Sequence, residues 1–263
     1  MGNVEPDEEA GEDLALVTVI IPSFNSERTI RDALKSLREQ TMTDWEAIVV
    51  DGGSDGTYGI AQEFAIQDSR IKVIKQYGAI GGGFGHAYAW NMGLILATSP
   101  YLATLDADDY WFPDKLAETT AFLENEQKCT GPLHTGVFTD YIEWDEPRWL
   151  KFVRRSPEFD ADLLLSSNYV CFSTLVARRP FWLEPKWEPV ADWEAVVEAS
   201  KRGPLARLPK ILAVRRVHEG QVSAQSARAM TLKALRFAFH NSLLAGLKRL
   251  RMVAAWHAHN LFR

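Results

Sequence analysis

Unbroken apolar runs, rather than alternating positions, set the pattern of the first hundred residues. Residues 14–21 (LALVTVII) form a β-branched run stopped by Pro22, 45–51 (WEAIVVD) and 101–106 (YLATLD) resemble it, and 71–77 (IKVIKQY) reads as a further strand broken by lysines. Runs of this kind belong to strands covered on both faces. Between them the apolar positions move to helical spacing. Ile30, Leu34 and Leu37 mark a helix over 26–40 with Ser26 as its expected N-cap, and further helices are predicted over 55–67 and 85–97. Strands alternating with helices of this length predict an α/β fold with a mostly parallel central sheet flanked by helices.

After about residue 130 the pattern loosens. Strands are predicted over 133–144, 171–179 and 206–218, and a helix over 189–203 closed by Gly203. From about Met230 one long amphipathic helix is expected, striped by Leu232, Leu235, Phe239 and Leu243. The expected organisation is an acidic disordered tail over 1–13, a catalytic domain over 14–225 divided near 115/116, and a basic helical tail over 226–263.

Composition narrows the function classes. A formal charge of −6 argues against nucleic acid as a partner, which would need a dense basic surface. The charge is unevenly placed: residues 5–13 are acidic, whereas nothing after Glu219 is Asp or Glu. Cys129 and Cys171 stand far apart without metal-ligand spacing and fit buried thiols in a reducing compartment. No apolar run approaches the roughly 18 residues of a spanning helix, so a cytoplasmic protein is expected.

The chemistry concentrates where the strands end. Asp106, Asp108 and Asp109 follow the fourth strand within four residues. Carboxylates this close repel unless they hold a cation or face water. Open α/β sheets place ligands beyond the carboxyl ends of their strands. Ser23 and Asn25 follow the first strand and Asp51 ends the second, so all of them belong to one edge of the sheet.

Taken in order, VTVIIPSFNSERTIRDALKSLREQT, EAIVVDGGSDGT, GHAYAWNMG, LATLDADDYWFPDKL, ADWE and RRVHEGQVS resemble the family-2 glycosyltransferases of the GT-A fold, a Rossmann-like nucleotide-diphospho-sugar transferase architecture. The resemblance covers about residues 14–225. It implies an inverting transfer of a sugar from a nucleotide-diphospho-sugar, UDP-sugar favoured, to a glycan or glycolipid hydroxyl, as in surface-polysaccharide assembly.

Residue by residue, the resemblance assigns Mn²⁺ or Mg²⁺ to Asp108, with Asp106 and His218 completing the site. Hard dications of this class are often held by one or two carboxylates plus substrate phosphates. Pro22, Ser23, Asn25, Asp51, Gly85, His86, Asn91, Asp106 and Asp108 would line the donor. Asp192 would be the base that takes the acceptor proton, and Trp187, Trp193 and Glu194 would meet the acceptor. Two positions depart from the family pattern: Gly52 stands where a second acid is frequent, and Trp90 where Arg is common. Three alternatives stay open at this level. Asp51 can equally stabilise its turn, and Asp109 can orient its loop rather than bind. The whole chain can be a silent nucleotide-sugar-binding module or, less well matched, a sugar nucleotidyltransferase. The basic tail suits either an anionic membrane, placing the protein peripherally at its inner face, or packing on protein, and a homodimer stays open.

Overall fold

A computed structural model describes residues 14–76, 85–126, 133–179, 191–218 and 227–261. The first half is a run of βα units: β1 (Val17–Ser23), α1 (Ile30–Arg38), β2 (Trp45–Asp51), α2 (Thr57–Gln67), β3 (Ile71–Lys75), α3 (Gly85–Leu96) and β4 (Tyr101–Thr104). β1 pairs in parallel with both β2 and β4, and β2 with β3. The unbroken apolar runs have their reason here. Val17, Val19 and Ile21 face one core, with Leu34, Leu37 and Trp45, while Ile20 faces a second, with Trp90, Leu102 and Phe138. Both faces of β1 are buried, so period-two alternation disappears.

The second half is mixed: β5 (Tyr110–Trp111), α4 (Lys115–Glu126), β6 (Gly136–Asp145), β7 (Leu150–Arg154), α5 (Ala161–Ser166), a 3₁₀ turn at Phe172–Thr174, β8 (Val176–Arg178), α6 (Ala191–Ser200) and β9 (Leu205–Val217). Among the described residues the sheet runs β3-β2-β1-β4-β8-β6-β9-β5, with β7 on the outer side of β6. β8 is antiparallel to β4 and to β6, whereas the long β6–β9 pair is parallel. Beyond β6, β9 pairs with β5, which brings Arg216 of β9 against Asp109 in the turn that follows β4.

Two local expectations change. Ser26 does not cap α1 through its side chain; the helix begins at Ile30 after Thr29. Ser26 is engaged elsewhere: its N–H donates to Thr57 Oγ1 at 2.7 Å and its hydroxyl to the carbonyl of Phe24. The C-terminal helix is two helices, α7 (Ala227–Asn241) and α8 (Leu243–Leu261), broken at Ser242. Both pack back on the protein, Phe237 of α7 lying 4.8 Å from the ring of Trp193 on α6.

Candidate active site

Strand register places the first polar residues. Ser23 pairs with Asp51, and Asp51 with Lys75, so the carboxyl ends of β1, β2 and β3 form one row. Asp51 is fully buried. Its carboxylate accepts from Lys75 Nζ at 2.6 Å, Ser23 Oγ at 3.1 Å and the N–H of Gly53 at 3.2 Å. Both oxygens therefore brace the loop that follows β2. Lys75, which sequence reasoning missed, supplies the balancing charge and also donates to the carbonyl of Gly53.

The loops after β1 and β2 are tied to each other. Asn25, at φ 50°, accepts from the N–H of Ser54 at 2.9 Å. Gly53 lies so close to it that a Cβ there would sit 2.5 Å from the Asn25 nitrogen, a contact only glycine avoids. At Gly52 a Cβ would meet Gln76 Oε1 at 3.1 Å, with Phe24 next nearest. Gln76 thus stands against the place where an acid at 52 would project. Asn91 is buried on α3, and Trp90 beside it is buried edge-on to Phe172 at 5.0 Å. Gly85 opens α3; the side chain of His86 and residues 77–84 lie outside the described residues.

The acidic cluster is the centre of the site. Asp106, Asp108 and Asp109 offer oxygens that all lie within 4.8 Å of one another. The three are not equivalent. Asp109 is buried, accepting from Ser173 Oγ at 2.6 Å and from the N–H of Arg216 at 2.9 Å. Burial, then the charges of Asp108 and Asp106, pushes its carboxyl well above the usual range. Ser173 also accepts from the N–H of Asp106 at 3.0 Å, so one hydroxyl fixes both ends of the acidic turn. Asp109 is the brace, and Asp106 and Asp108 remain half-exposed. His218, just beyond β9, puts Nε2 at 3.1 Å from Asp108 Oδ2. Two half-exposed carboxylates and an imidazole are a donor set suited to a divalent cation that keeps positions for substrate oxygens.

Arg216 holds this arrangement from behind. Its Nε donates to the carbonyl of Asp108 at 3.1 Å, and its other nitrogens reach Asp32 on α1 at 2.6 Å and Glu146 at 3.3 Å. Its guanidinium lies 4.9 Å from the Trp144 ring. Arg215 points elsewhere, to Glu143 at 3.2 Å. Neither the brace of Ser173 nor the anchor of Arg216 was legible locally, because each joins positions far apart in the chain.

The β6–β7 turn closes against this anchor. The N–H of Glu146 donates to the carbonyl of Val217, next to His218, at 3.0 Å. Within the turn Trp149 is 79% exposed, at φ 54°, its ring 6.1 Å from that of Trp144. The exposed ring of Trp149 thus leans on half-buried Trp144, which in turn packs on Arg216.

The residues expected at the acceptor side fare differently. Asp192, at the start of α6, is half-buried and accepts from Asn168 Nδ2 at 3.2 Å. Asn168 is only five residues before Ser173, a span of at most roughly 18 Å at full extension. Trp193 corrects the expectation of a sugar-stacking surface. It is 2% exposed, donates to the carbonyl of Leu164 at 2.7 Å, and its ring contacts Phe237 and Arg249. Glu194 is buried with it, so the stretch after Asp192 serves the core rather than an acceptor surface. Trp187 and Cys129 lie outside the described residues. Cys171 is half-buried rather than buried as expected, and desolvation, then the charge of Asp109, pushes its thiol well up.

Comparisons with known proteins bear on the fold and the family. The family model described as Glycosyl transferase family 2 matches residues 18–183. The Bacillus subtilis protein named putative teichuronic acid biosynthesis glycosyltransferase TuaG is 39% identical over 167 residues, covering 62% of this chain and 62% of its own length. The chain thus spans about three-fifths of that relative. An Escherichia coli protein, UDP-Glc:alpha-D-GlcNAc-diphosphoundecaprenol beta-1,3-glucosyltransferase WfaP, is 28% identical over 240 residues, covering 88% of this chain and 91% of its own. Among solved structures, the mannosyltransferase PcManGT of Pyrobaculum calidifontis, in complex with GDP-Man and Mn²⁺, superposes with a TM-score of 0.65 at 18% identity. That match covers 93% of this chain and 75% of the other. The likeness is one of fold, and it is the fold expected from the sequence.

Proposed function

Because this chain belongs to glycosyl transferase family 2, we propose that it transfers a sugar from a nucleotide-diphospho-sugar, a UDP-sugar by preference, to a hydroxyl of a glycan or glycolipid, with inversion at the anomeric carbon. The observation that carries this reading is the pair of half-exposed carboxylates, Asp106 and Asp108, with His218 against Asp108, at the carboxyl ends of parallel strands. The preference for UDP and for a lipid-linked acceptor draws on the name of the WfaP relative.

Asp108, Asp106 and His218 fit Mn²⁺ or Mg²⁺ by the chemistry of their donors. A bound dication of this kind offsets the charge that gathers on the departing diphosphate. The remaining work falls to the chain. Ser23 and Asn25, with the Asp51-braced loop, form the floor on which the nucleoside rests. Arg216, Ser173 and Asp109 keep the acidic turn in one geometry, so little reorganisation accompanies donor binding. Asp192 takes the proton of the acceptor hydroxyl as its oxygen bonds to the anomeric carbon. The bond from that carbon to the diphosphate breaks on the opposite face. Asn168, donating to one carboxylate oxygen of Asp192, fixes the orientation of that carboxylate. Trp149 takes the stacking role that buried Trp193 cannot fill, offering a sugar ring an apolar platform.

Transfer assays with a panel of UDP-sugars, Mn²⁺ and lipid-diphosphate-linked sugar acceptors test the reading. Asp108→Ala is expected to lose metal-dependent donor binding, and Asp192→Ala to keep binding and lose transfer. Full transfer activity in both variants would overturn the site assignment.

A further inference from the structure

The two C-terminal helices invert the usual placing of apolar side chains. Their inner face is mostly small, Ala234, Ala238 and Ala245 joining the core beside Leu164, Trp193 and Val196, with Phe237 the one large ring packed there among the described residues. The large apolar side chains point outward: Leu232 is 62% exposed, Leu243 70% and Leu244 60%, and Leu247, Leu250 and Met252 are exposed as well. Of the stripe read from the sequence, Leu232, Phe239 and Leu243 are exposed and Leu235 is half-buried. On α8, Leu243, Leu247 and Leu250 follow the i, i+4, i+7 spacing of one helix face, with Leu244, Lys248 and Arg251 on the adjoining row. The helices are locked in this orientation where they meet. A Cβ at Gly246 would fall 2.1 Å from the ring of Phe239, so the aromatic closes directly on the α8 backbone.

We propose that this open face docks the protein on an anionic lipid bilayer, α8 lying in the interface with its leucines down and its cations at headgroup level. Charge selects this occupant. Residues 226–263 contain no Asp or Glu, so within the tail itself the apolar stripe is flanked by positive charge alone, the acids of the neighbouring α5, Asp160 and Asp162, lying on another element. A second copy of the same face would set Lys248 and Arg251 against their own kind with no carboxylate between them. Anionic headgroups complement both features, the apolar row and its basic edge. Among the described residues no helix is long and apolar enough to cross a membrane, which is consistent with a helix lying on one rather than through it. The proposal deepens the reading of a lipid-linked acceptor, since a docked enzyme meets such an acceptor in two dimensions.

Vesicle co-sedimentation of the full chain, without donor or metal, tests it. The probes are vesicles of phosphatidylcholine alone and of equal parts phosphatidylcholine and phosphatidylglycerol. The variants are Leu247→Glu/Leu250→Glu, Lys248→Glu/Arg251→Glu and, as an exposed apolar control on α2, Ile66→Glu. A basic residue near an anionic surface contributes roughly fivefold in binding. The unmodified chain is expected to bind the anionic vesicles at least tenfold more tightly than the neutral ones. Both α8 variants should lose that binding, and Ile66→Glu should keep it. Absence of binding to anionic vesicles, or equal binding by all variants, would overturn the proposal. So would a lipid-free dimer that Leu247→Glu/Leu250→Glu dissociates in light scattering, because the face would then belong to a second copy. No substrate enters the assay, so its failure is distinct from failure of the transferase reading.

Discussion

Lys115 stands at the start of α4 with its side chain wholly inside the core, and its Nζ has no hydrogen-bond partner among the described residues. The Trp111 ring lies 5.2 Å away. Burial pushes the amine down from 10.5 to about 7, with Cys171 opposing slightly. The folded state therefore resists the protonated form, and the sign of the pH dependence follows. Below pH 7 the lysine is protonated folded and unfolded, and the full cost of burying the charge is present. Between pH 7 and 10.5 only the unfolded chain holds the proton, so stability rises with pH. Above 10.5 both states are neutral and the cost has gone. At 1.36 kcal/mol per pH unit the full cost is of order 5 kcal/mol. Lys115→Met keeps the stem packed on Trp111 and removes the amine. Urea unfolding of both proteins at several pH values isolates the effect, because all other titrating groups cancel in the difference. The variant should be more stable at pH 6 by several kcal/mol, and its advantage should shrink by roughly 1.4 kcal/mol per unit above pH 7. Parallel stability curves from pH 6 to 10, or a less stable variant at pH 6, would show that the amine is stabilised by contacts rather than penalised by burial.

Other perturbations probe the site directly. Ser173→Ala removes the hydroxyl shared by Asp106 and Asp109 and should cost about 1–3 kcal/mol in urea unfolding, as for an abandoned buried acceptor. Mn²⁺ affinity should fall alongside. Arg216→Lys keeps the charge but loses the fork that joins Asp108, Asp32 and Glu146, so it should weaken Mn²⁺ binding at nearly unchanged donor-free fold, as read by circular dichroism. Trp149→Gly should hold or raise stability by about 1 kcal/mol, since a bulky residue at positive φ is strained, yet raise the acceptor KM several-fold with donor KM unchanged. An unchanged acceptor KM would remove Trp149 from the site.

The parts of the molecule legible in its sequence are those written in short-range pattern. β1, β2 and β4 announce themselves because burial on both faces leaves a nearly continuous apolar run, whereas β3, at the sheet edge, is broken by Lys72 and Lys75. The acidic triplet announces itself because three carboxylates so close need an explanation. What the sequence hides is set by register and by distant contacts. Lys75 becomes the partner of Asp51 only once β2 and β3 align. Ser173 and Arg216 reach Asp109 across 64 and 107 positions. β7 and α5 are too short, and β7 too exposed, to impose a period. The outward leucines of α7 and α8 mislead for a different reason. Close helix packing selects small side chains, so alanines take most of the inward positions beside Phe237, and most of the leucines are left outside.

The central claim, that the acidic turn and His218 hold a dication against a nucleoside diphosphate, is tested most directly by thermal unfolding. The chain and its Asp108→Ala variant would each be heated with a panel of nucleoside diphosphates, with and without Mn²⁺. A ligand at a hundredfold excess over its Kd stabilises by about 2.7 kcal/mol, or roughly 5 °C or more for a domain of this size. The account predicts a shift of that order for one diphosphate, UDP by preference, that requires Mn²⁺ and is absent in Asp108→Ala. A shift of equal size in the variant, or no shift with any diphosphate and metal, would contradict it.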